Sequence, residues 1–187
     1  MKNKGNQKSD QSKAWMEEAL LKLMETEVYE NITIQEITDN AGLSRRTFYR
    51  NYASKDEIIE GVFLRIWKEY ETNVKKNHDF SLPSIAKTLF SVMVKHLDFL
   101  IVINRHHLLP MCLSKVDELL PPTFDEVKGS TMSFSKESIS YALTFSTGGF
   151  MRLMIKWLNE GHEKSPDEIS TIIEDIVSII NYSNVTA

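Results

Sequence analysis

The sequence predicts an all-α fold, with a small N-terminal three-helix domain followed by a larger helical domain. Three observations support this prediction. Apolar residues recur at three- and four-residue spacing along most of the chain. Glycine and proline are sparse, at 7 and 5 of 187 residues, and no alternating apolar strands flank tight turns. Capping boxes beginning at Thr33, Ser54 and Ser165 indicate where three of the helices start.

The first 55 residues predict a flexible arm and three helices. Residues 1–11 are polar and predict the arm, and residues 12–27 carry an apolar stripe that includes Trp15 and Leu20. A short helix follows Thr33 and ends at Gly42, a residue suited to a left-handed turn. Ser44 then caps a third helix that runs to about Arg50.

Residues 56–187 predict the second domain. A long helix starts after Ser54 and reaches about residue 75, and shorter helices follow at about 83–96, 98–104 and 108–120. The Pro121-Pro122 pair and residues 128–133 predict a loop. A long apolar helix over 136–160 ends at Gly161, and Pro166 opens the last helix.

Composition limits the function without selecting it. The net charge is −4, yet residues 1–55 carry nine basic and eight acidic residues, so cations concentrated on one face could still meet phosphate. Cys112 is the only cysteine, so no intrachain disulfide can form and a reducing cytoplasm is expected. Residues 1–13 lack the apolar core of a signal peptide, and no apolar run approaches membrane-spanning length.

Residues 33–55 predict a helix-turn-helix. Ile37, Ala41, Leu43 and Phe48 fall where the two helices must bury their inner faces. The opposite face of the second helix offers donors for guanine edges and phosphates, and it is small enough for the major groove. The residues on that face are Arg45, Arg46, Thr47, Tyr49 and Arg50.

The segments 33–37, 41–44 and 47–56 together resemble the DNA-binding domain of the TetR/AcrR family. The resemblance implies that Tyr49 and Lys55 hold phosphates and that the residues approaching bases are Arg45, Arg46, Thr47 and Arg50. Thr33 and Ser44, as N-caps, would present helix N-termini to phosphate. Asn51, at a position often aromatic or histidine in relatives, could also reach phosphate.

The C-terminal domain resembles one TetR subgroup through residues 145–150, Trp157, Gly161 and the Ser165 capping box. That subgroup includes regulators of dihydroxyacetone kinase genes. The family resemblance implies ligand sensing and dimerisation in this domain. Several large side chains are therefore candidates to line a ligand cavity, with a core role as the alternative: Trp67, Tyr70, Phe90, Met93, His96, Met111 and Met151.

His106, His107, Met111 and Cys112 raise the alternative of a metal or redox site. Adjacent histidines point to different sides of a helix, and Cys112 lies close to an apolar stripe. A structural or pocket-lining role is favoured, so neither a metal nor a cofactor is predicted.

The predicted function is a homodimeric, cytoplasmic repressor that a small-molecule effector releases from its operator. The alternative is a DNA-bound regulator controlled by a partner protein. A large apolar cavity would favour the first, and a filled core with an exposed apolar patch would favour the second. The helix over 136–160 and the last helix are expected to form the dimer, which implies a near-palindromic operator in double-stranded DNA. Neither an enzyme nor a membrane-surface protein is predicted, because catalytic motifs and a basic amphipathic helix are missing from the sequence.

Overall fold

The computed structural model describes residues 4–77, 79–128 and 134–183, and these residues form helices and connecting segments with no strand. The all-α prediction is confirmed. In chain order the helices are α1 (Lys4–Leu23), a 3₁₀ turn (Tyr29–Asn31), α2 (Ile34–Asn40), α3 (Arg45–Asn51), α4 (Lys55–Lys76), α5 (Leu82–Lys95), α6 (Leu97–Arg105), α7 (Leu109–Lys128), α8 (Lys136–Asn159) and α9 (Pro166–Ser183).

The chain divides into two compact units. The first comprises Met1–Arg65 and Ile101–Leu108, and the second comprises Ile66–Leu100 and Leu109–Ala187. The division falls within α4 and within α6, rather than at residue 55 where the sequence placed the end of the first domain.

The first unit packs α1, α2 and α3 against one another around a fully buried centre. Its largest buried side chains are Met16, Leu20, Met24, Ile37, Phe48, Ile58, Ile59 and Ile103. Their spacing along each helix is the apolar periodicity that the sequence showed, so burial of one face accounts for these helices. Trp15 lies outside this centre, with 46% of its surface exposed, because its neighbour Met16 takes the inward position.

Helix α1 begins at Lys4, eight residues before the predicted start, so the helix includes most of the segment expected to be a flexible arm. Two contacts account for the extension. The Ser9 hydroxyl donates to Asn51 Oδ1 at 2.7 Å, and the buried Ser12 donates to the Lys8 carbonyl at 2.8 Å. Residues 1–3 of the predicted arm lie outside the described residues.

The second unit is organised around α5 and α9, which lie side by side. Phe90 of α5 meets Trp157 of α8 edge to face, with ring centroids 5.3 Å apart. The Ser170 hydroxyl of α9 donates to the Pro83 carbonyl at 3.0 Å, and Lys87 pairs with Asp167. The isoleucines Ile169 and Ile173 complete the buried side of α9, as the sequence pattern predicted.

The predicted loop at Pro121-Pro122 is wrong, because both prolines lie inside helix α7. Each proline lacks an amide donor, so the carbonyls four residues earlier lose their helical partners. The helix continues because Leu120, Phe124 and Val127 recur at helical spacing and line an apolar cavity. The rest of the predicted loop, residues 129–133, lies outside the described residues.

Helix α8 is unusually exposed over its first two turns and middle. Tyr141 and Phe145 expose 73% and 80% of their surfaces. On the same side of the helix, a Cβ added at Gly148 or Gly149 would meet no atom within 4 Å. None of the described residues therefore approaches the glycine pair, although glycine in a helix costs about 1 kcal/mol relative to alanine.

Glu71 is the centre of an ion-pair network in the second unit. Its carboxylate accepts from Lys68 Nζ at 2.5 Å and from Lys75 Nζ at 2.8 Å, and Lys75 also reaches Glu126 of α7 at 2.5 Å. The hydrogen bonds from Lys68 and Lys75 lower the pKa of Glu71 from 4.5 to about 2. Only 13% of the Glu71 side chain is exposed, so solvent screens these pairs less than it screens ordinary surface pairs.

We expect Glu71→Gln to destabilise the protein at neutral pH, lowering Tm by about 2–4 °C. Because the folded-state pKa of Glu71 lies below the unfolded value, its contribution is complete above about pH 4.5 and disappears as pH falls toward about 2. Thermal melts across this range should show the two Tm values converging in acid. The control is Glu118→Gln, which removes an exposed pair with Lys115 and should change Tm less; a constant Tm gap for Glu71→Gln at every pH would contradict the prediction.

Candidate nucleic-acid interface and apolar cavity

The start of α2 is fixed by a complete capping box. Thr33 Oγ1 accepts from the Glu36 amide at 3.2 Å, and Glu36 Oε2 accepts from the Thr33 amide at 2.7 Å. These bonds satisfy two amides that a helix start leaves without helical partners. Hydrogen bonds from Thr33 lower the pKa of the Glu36 carboxyl. Thr33 is exposed, but its hydroxyl is already used by Glu36.

The turn between α2 and α3 is closed at both ends. Gly42 adopts φ +64°, and the Leu43 amide donates to the Thr38 carbonyl at 2.9 Å while the Gly42 amide donates to Asp39 at 3.1 Å. Ser44 then caps α3 by accepting from the Thr47 amide at 3.1 Å. The turn therefore holds the two short helices in a defined relation, as a helix-turn-helix requires.

Helix α3 presents a cationic face. Phe48 is fully buried beneath it, whereas Arg45, Arg46 and Arg50 are exposed and no acidic residue lies on the helix. The guanidinium groups of Arg46 and Arg50 make no hydrogen bond or ion pair within the described residues, so both are available to acceptors on another molecule.

Two other predicted contact residues lie beside these cations. Tyr49 exposes 52% of its surface, and the Arg45 guanidinium lies over its ring at 5.9 Å. Thr47 is half-buried, and its hydroxyl lies 3.0 Å from Ser44 Oγ. The helix thus brings together Arg45, Arg46, Tyr49 and Arg50 on one exposed surface, with Thr47 and Ser44 at its start.

Lys55 does not present a free ammonium group. Its Nζ donates to the carbonyls of Tyr29, Ile32 and Glu30 at 2.5, 2.8 and 3.1 Å, and it lies 4.5 Å from the centre of the Tyr29 ring. An ammonium group has three N–H donors, so these carbonyls use all of them. Lys55 therefore closes the 3₁₀ turn between α1 and α2, whereas the resemblance had implied a phosphate contact.

Asn51 is likewise engaged inside the first unit. Its Nδ2 donates to the Thr47 carbonyl and its Oδ1 accepts from Ser9, both at 2.7 Å. The amide thus ties the end of α3 to α1, which differs from the expected reach toward phosphate.

The 3₁₀ turn also depends on residues that the sequence did not single out for this role. His106 Nδ1 accepts from the Tyr29 amide at 3.3 Å, so the ring proton lies on Nε2 and is donated to the Met24 carbonyl at 2.7 Å. The Tyr29 hydroxyl donates to Asp56. Burial is the main cause that raises the pKa of Tyr29, and this hydrogen bond is the second. These contacts join distant parts of the chain, so sequence spacing could not reveal them.

A cavity of about 540 Å³ lies in the second unit, between α4, α5, α7 and α8. Its walls are aromatic and aliphatic, and the hydroxyl groups of Tyr70, Thr123, Ser138, Ser146 and Thr147 are its only side-chain polar groups among the described residues. Burial raises the pKa of Tyr70 to about 12. The volume falls within the range common for small-molecule sites.

Tyr70 is the one predicted ligand-contacting residue that lines this cavity. Phe90 and Met93 are buried elsewhere in the unit, and His96 is paired with Glu69 at 2.8 Å. Trp67 is half-buried with its ring 5.3 Å from that of Tyr70. Met111 and Met151 are half-buried outside the cavity. Sequence periodicity identified large inward side chains but not which of them face empty space; Phe80, Ile85, Phe124, Ile139 and Phe150 were missed for this reason.

Among the described residues, no group of three or more His, Cys, Asp or Glu side chains is arranged to hold a metal ion. Cys112 is buried. His107, beside the structural His106, adopts φ 57° at the end of α6. In the same part of the chain, none of the helices combines the length and apolar character needed to cross a bilayer.

Two family models match the chain. One is described as bacterial regulatory proteins, tetR family, and matches residues 18–62; the other, TetR_C_8, is described as a transcriptional regulator C-terminal region and matches residues 81–178, more than half of the chain. The chain belongs to the TetR family. It is therefore a DNA-binding transcriptional regulator and not an enzyme, as the helix-turn-helix residues predicted.

Known relatives agree with this TetR assignment. The chain is 34% identical over 70 residues to an uncharacterized HTH-type transcriptional regulator, YxbF, of Bacillus subtilis (strain 168), a match that covers 36% of this chain and 18% of the relative's length. A TetR transcriptional regulator structure from Streptococcus agalactiae 2603V has a TM-score of 0.61 at 16% identity, covering 92% of this chain and 97% of the other. The dihydroxyacetone kinase operon activator DhaS has a TM-score of 0.53 at 17% identity, covering 92% and 95%. At these identities the two structures support the TetR fold alone.

The bonds of Lys55 give a first test within the TetR domain. We expect Lys55→Met, which keeps the stem and removes the three donors, to lower Tm and weaken DNA binding while leaving the salt dependence of binding unchanged. Arg50→Ala, the matched loss of an exposed cation, should flatten the slope of log K against log salt by about one unit with little change in Tm. If Lys55→Met flattened the slope at an unchanged Tm, Lys55 would be a phosphate contact after all.

Proposed function

We propose that this TetR-family regulator is a homodimeric repressor whose α3 reads bases in the major groove. The observation that carries the proposal is that Arg46 and Arg50 are exposed, have no partner among the described residues, and lie on a helix without acidic residues. Arginine binds the O6 and N7 atoms of guanine with two parallel hydrogen bonds. Arg46, at the second position of α3, is assigned to base contact, and Tyr49 with Arg45 is assigned to the flanking phosphates.

The exposed starts of α2 and α3 fit the same role. Thr33 and Ser44 place these helix starts at the surface, where the helix dipole favours a phosphate. In this assignment the two residues act through the backbone, since their hydroxyl groups are already bonded to Glu36 and Thr47. The Thr47 hydroxyl is likewise already bonded to Ser44, so Thr47 is also assigned an indirect role. Asn51 and Lys55 are assigned to hold the helix-turn-helix in place through their bonds within the first unit.

The proposed control is binding of a small-molecule effector in the second unit, followed by release of the operator. The cavity of about 540 Å³ supports control by a small molecule over control by a partner protein, because a regulator that senses only a protein does not need an apolar cavity of this size. In this scheme the first unit binds the operator and the second unit senses the effector.

The proposed dimer uses α8 and α9. Tyr141 and Phe145 on α8 and Ile179 and Ile180 on α9 are all more than half exposed, which is an uncommon state for large apolar side chains. Ile172 and Ile176, on the last helix that the sequence predicted to contribute to the dimer, are only half-buried. A two-fold dimer would place two recognition helices on a near-palindromic operator.

We expect Arg46→Ala to bind a relaxed set of DNA sites. Loss of a bidentate guanine contact should cost about 1–3 kcal/mol of discrimination at one base pair in each half-site. Selection of preferred sites from random DNA measures this loss, and Arg105→Ala, which removes an exposed arginine at the end of α6, is the control. An unchanged consensus for Arg46→Ala would remove Arg46 from base recognition.

A reporter gene placed behind the selected site tests repression. We expect lower expression with the protein than without it, and higher expression with the protein would overturn the proposal that it is a repressor.

We expect Phe145→Glu to convert the dimer to monomers that keep their helical content but bind the operator weakly. A charge introduced at an apolar interface loses its solvation without gaining a partner. Light scattering measures the mass, and circular dichroism measures the helix content. Val94→Glu, which alters an exposed apolar residue of α5, should remain dimeric. A wild-type protein that is monomeric at micromolar concentration would overturn the dimer proposal directly.

A further inference from the structure

Among the described residues, no charged side chain lines the cavity in the second unit. Within the described residues its lining comes from Tyr70 of α4, Ile85 of α5, Phe124 of α7, Ile139 and Phe150 of α8 and other uncharged residues. The Glu71 carboxylate, 3.4 Å from the hydroxyl of the wall residue Thr123, is paired with Lys68 and Lys75. A ligand charge moved into this space would lose hydration and meet no opposite charge, which is strongly unfavourable.

Most wall hydroxyl groups are already committed. Thr123 donates to the Leu119 carbonyl at 2.9 Å, and Thr147 donates to the Leu143 carbonyl at 2.8 Å. Ser138 lies 2.9 Å from Ser135 at the start of α8. These bonds hold the polar groups to their own helices, so they add little to ligand recognition.

Tyr70 differs from these residues. It is 9% exposed, lines the cavity, and makes no hydrogen bond within the part of the chain that the structure describes. Burial is the sole cause of its raised pKa, in agreement with a hydroxyl that has no charged or hydrogen-bonding neighbour. Its hydroxyl is therefore an uncommitted donor on the cavity wall, from which a ligand oxygen can accept a hydrogen bond. Ser146 is the other uncommitted hydroxyl, but it is half-buried and can keep water.

We propose that the cavity binds a neutral, mainly apolar molecule with one oxygen that accepts a hydrogen bond from Tyr70, such as a ketone or an ester. This inference deepens the proposed function, on which it rests, by naming the chemical class of the effector. Sugars, polyols and phosphorylated or carboxylated metabolites are disfavoured, because the walls offer neither enough free donors nor a cation for them.

Binding to the full-length protein without DNA tests the ligand class. The probes are benzophenone, which is neutral with one carbonyl; diphenylmethane, which lacks the oxygen; and 4-benzoylbenzoate, which adds a carboxylate. A second neutral ketone, 2-undecanone, covers a flexible shape. We expect at least one neutral ketone to bind, with 4-benzoylbenzoate at least tenfold weaker than benzophenone. Failure of both ketones, or equal binding of the anion, overturns the proposal.

Tyr70→Phe isolates the hydroxyl group. We expect it to weaken the bound ketone about tenfold, the usual size of one hydrogen bond, and to leave diphenylmethane unchanged. A loss that is equal for both probes would mean that Tyr70 only shapes the wall, which contradicts its assigned role. Photo-crosslinking by benzophenone should modify α4, α7 or α8 residues of the cavity; crosslinks confined to other surfaces overturn the site.

Cavity filling provides an independent test. Ser146→Trp should abolish ketone binding, while Ser140→Trp, on an exposed position of the same helix outside the cavity, should keep it. If Ser146→Trp does not fold, Ile139→Phe reduces the volume with a smaller change, and retained binding by the folded variant would count against the site. Operator binding is then measured with the ketone present. Ketone binding that leaves the operator complex intact refutes the effector role while the ligand class stands, so the two proposals fail separately.

Discussion

The geometry of the helix-turn-helix depends on how one lysine closes one turn. Lys55 donates to three carbonyls of residues 29–32, and it thereby fixes the chain where it passes from α1 to α2. His106 holds the same turn through the Tyr29 amide, and Asp56 holds the Tyr29 side chain. Because α2 starts immediately after this turn, the bonds that fix the turn also fix the position of α2 and of α3, which follows it.

This constraint explains how an acidic protein can bind DNA. The net charge is −4, but the chain uses the ammonium group of Lys55 internally and leaves the guanidinium groups of α3 exposed. Arginine is suited to the exposed role because its planar fork matches guanine and phosphate, while lysine is suited to a cluster of carbonyls because its three donors diverge. Local placement of the cations thus matters more than the total charge.

Features set by near neighbours in the chain could be predicted from the sequence. The caps at Thr33, Ser44 and Ser165, the left-handed Gly42 and the apolar faces of α1 and α9 all arise within a few residues. The bonds of Lys55 and the bond between Asn51 and Ser9 could not be predicted, because those partners lie 23 to 42 residues away. The helical Pro121-Pro122 pair and the cavity likewise reflect packing between elements, which periodicity alone does not encode.

The glycine pair of α8 has a consequence for engineering this protein. Within one protomer, alanine at Gly148 or Gly149 would fill open space and favour the helix. In an assembly that brings another backbone close to this face, the same methyl group would keep the helices apart. The two positions could therefore uncouple folding from association: a single added carbon would strengthen the isolated chain while loosening its complex, so a tighter fold and a weaker regulator would come from one substitution.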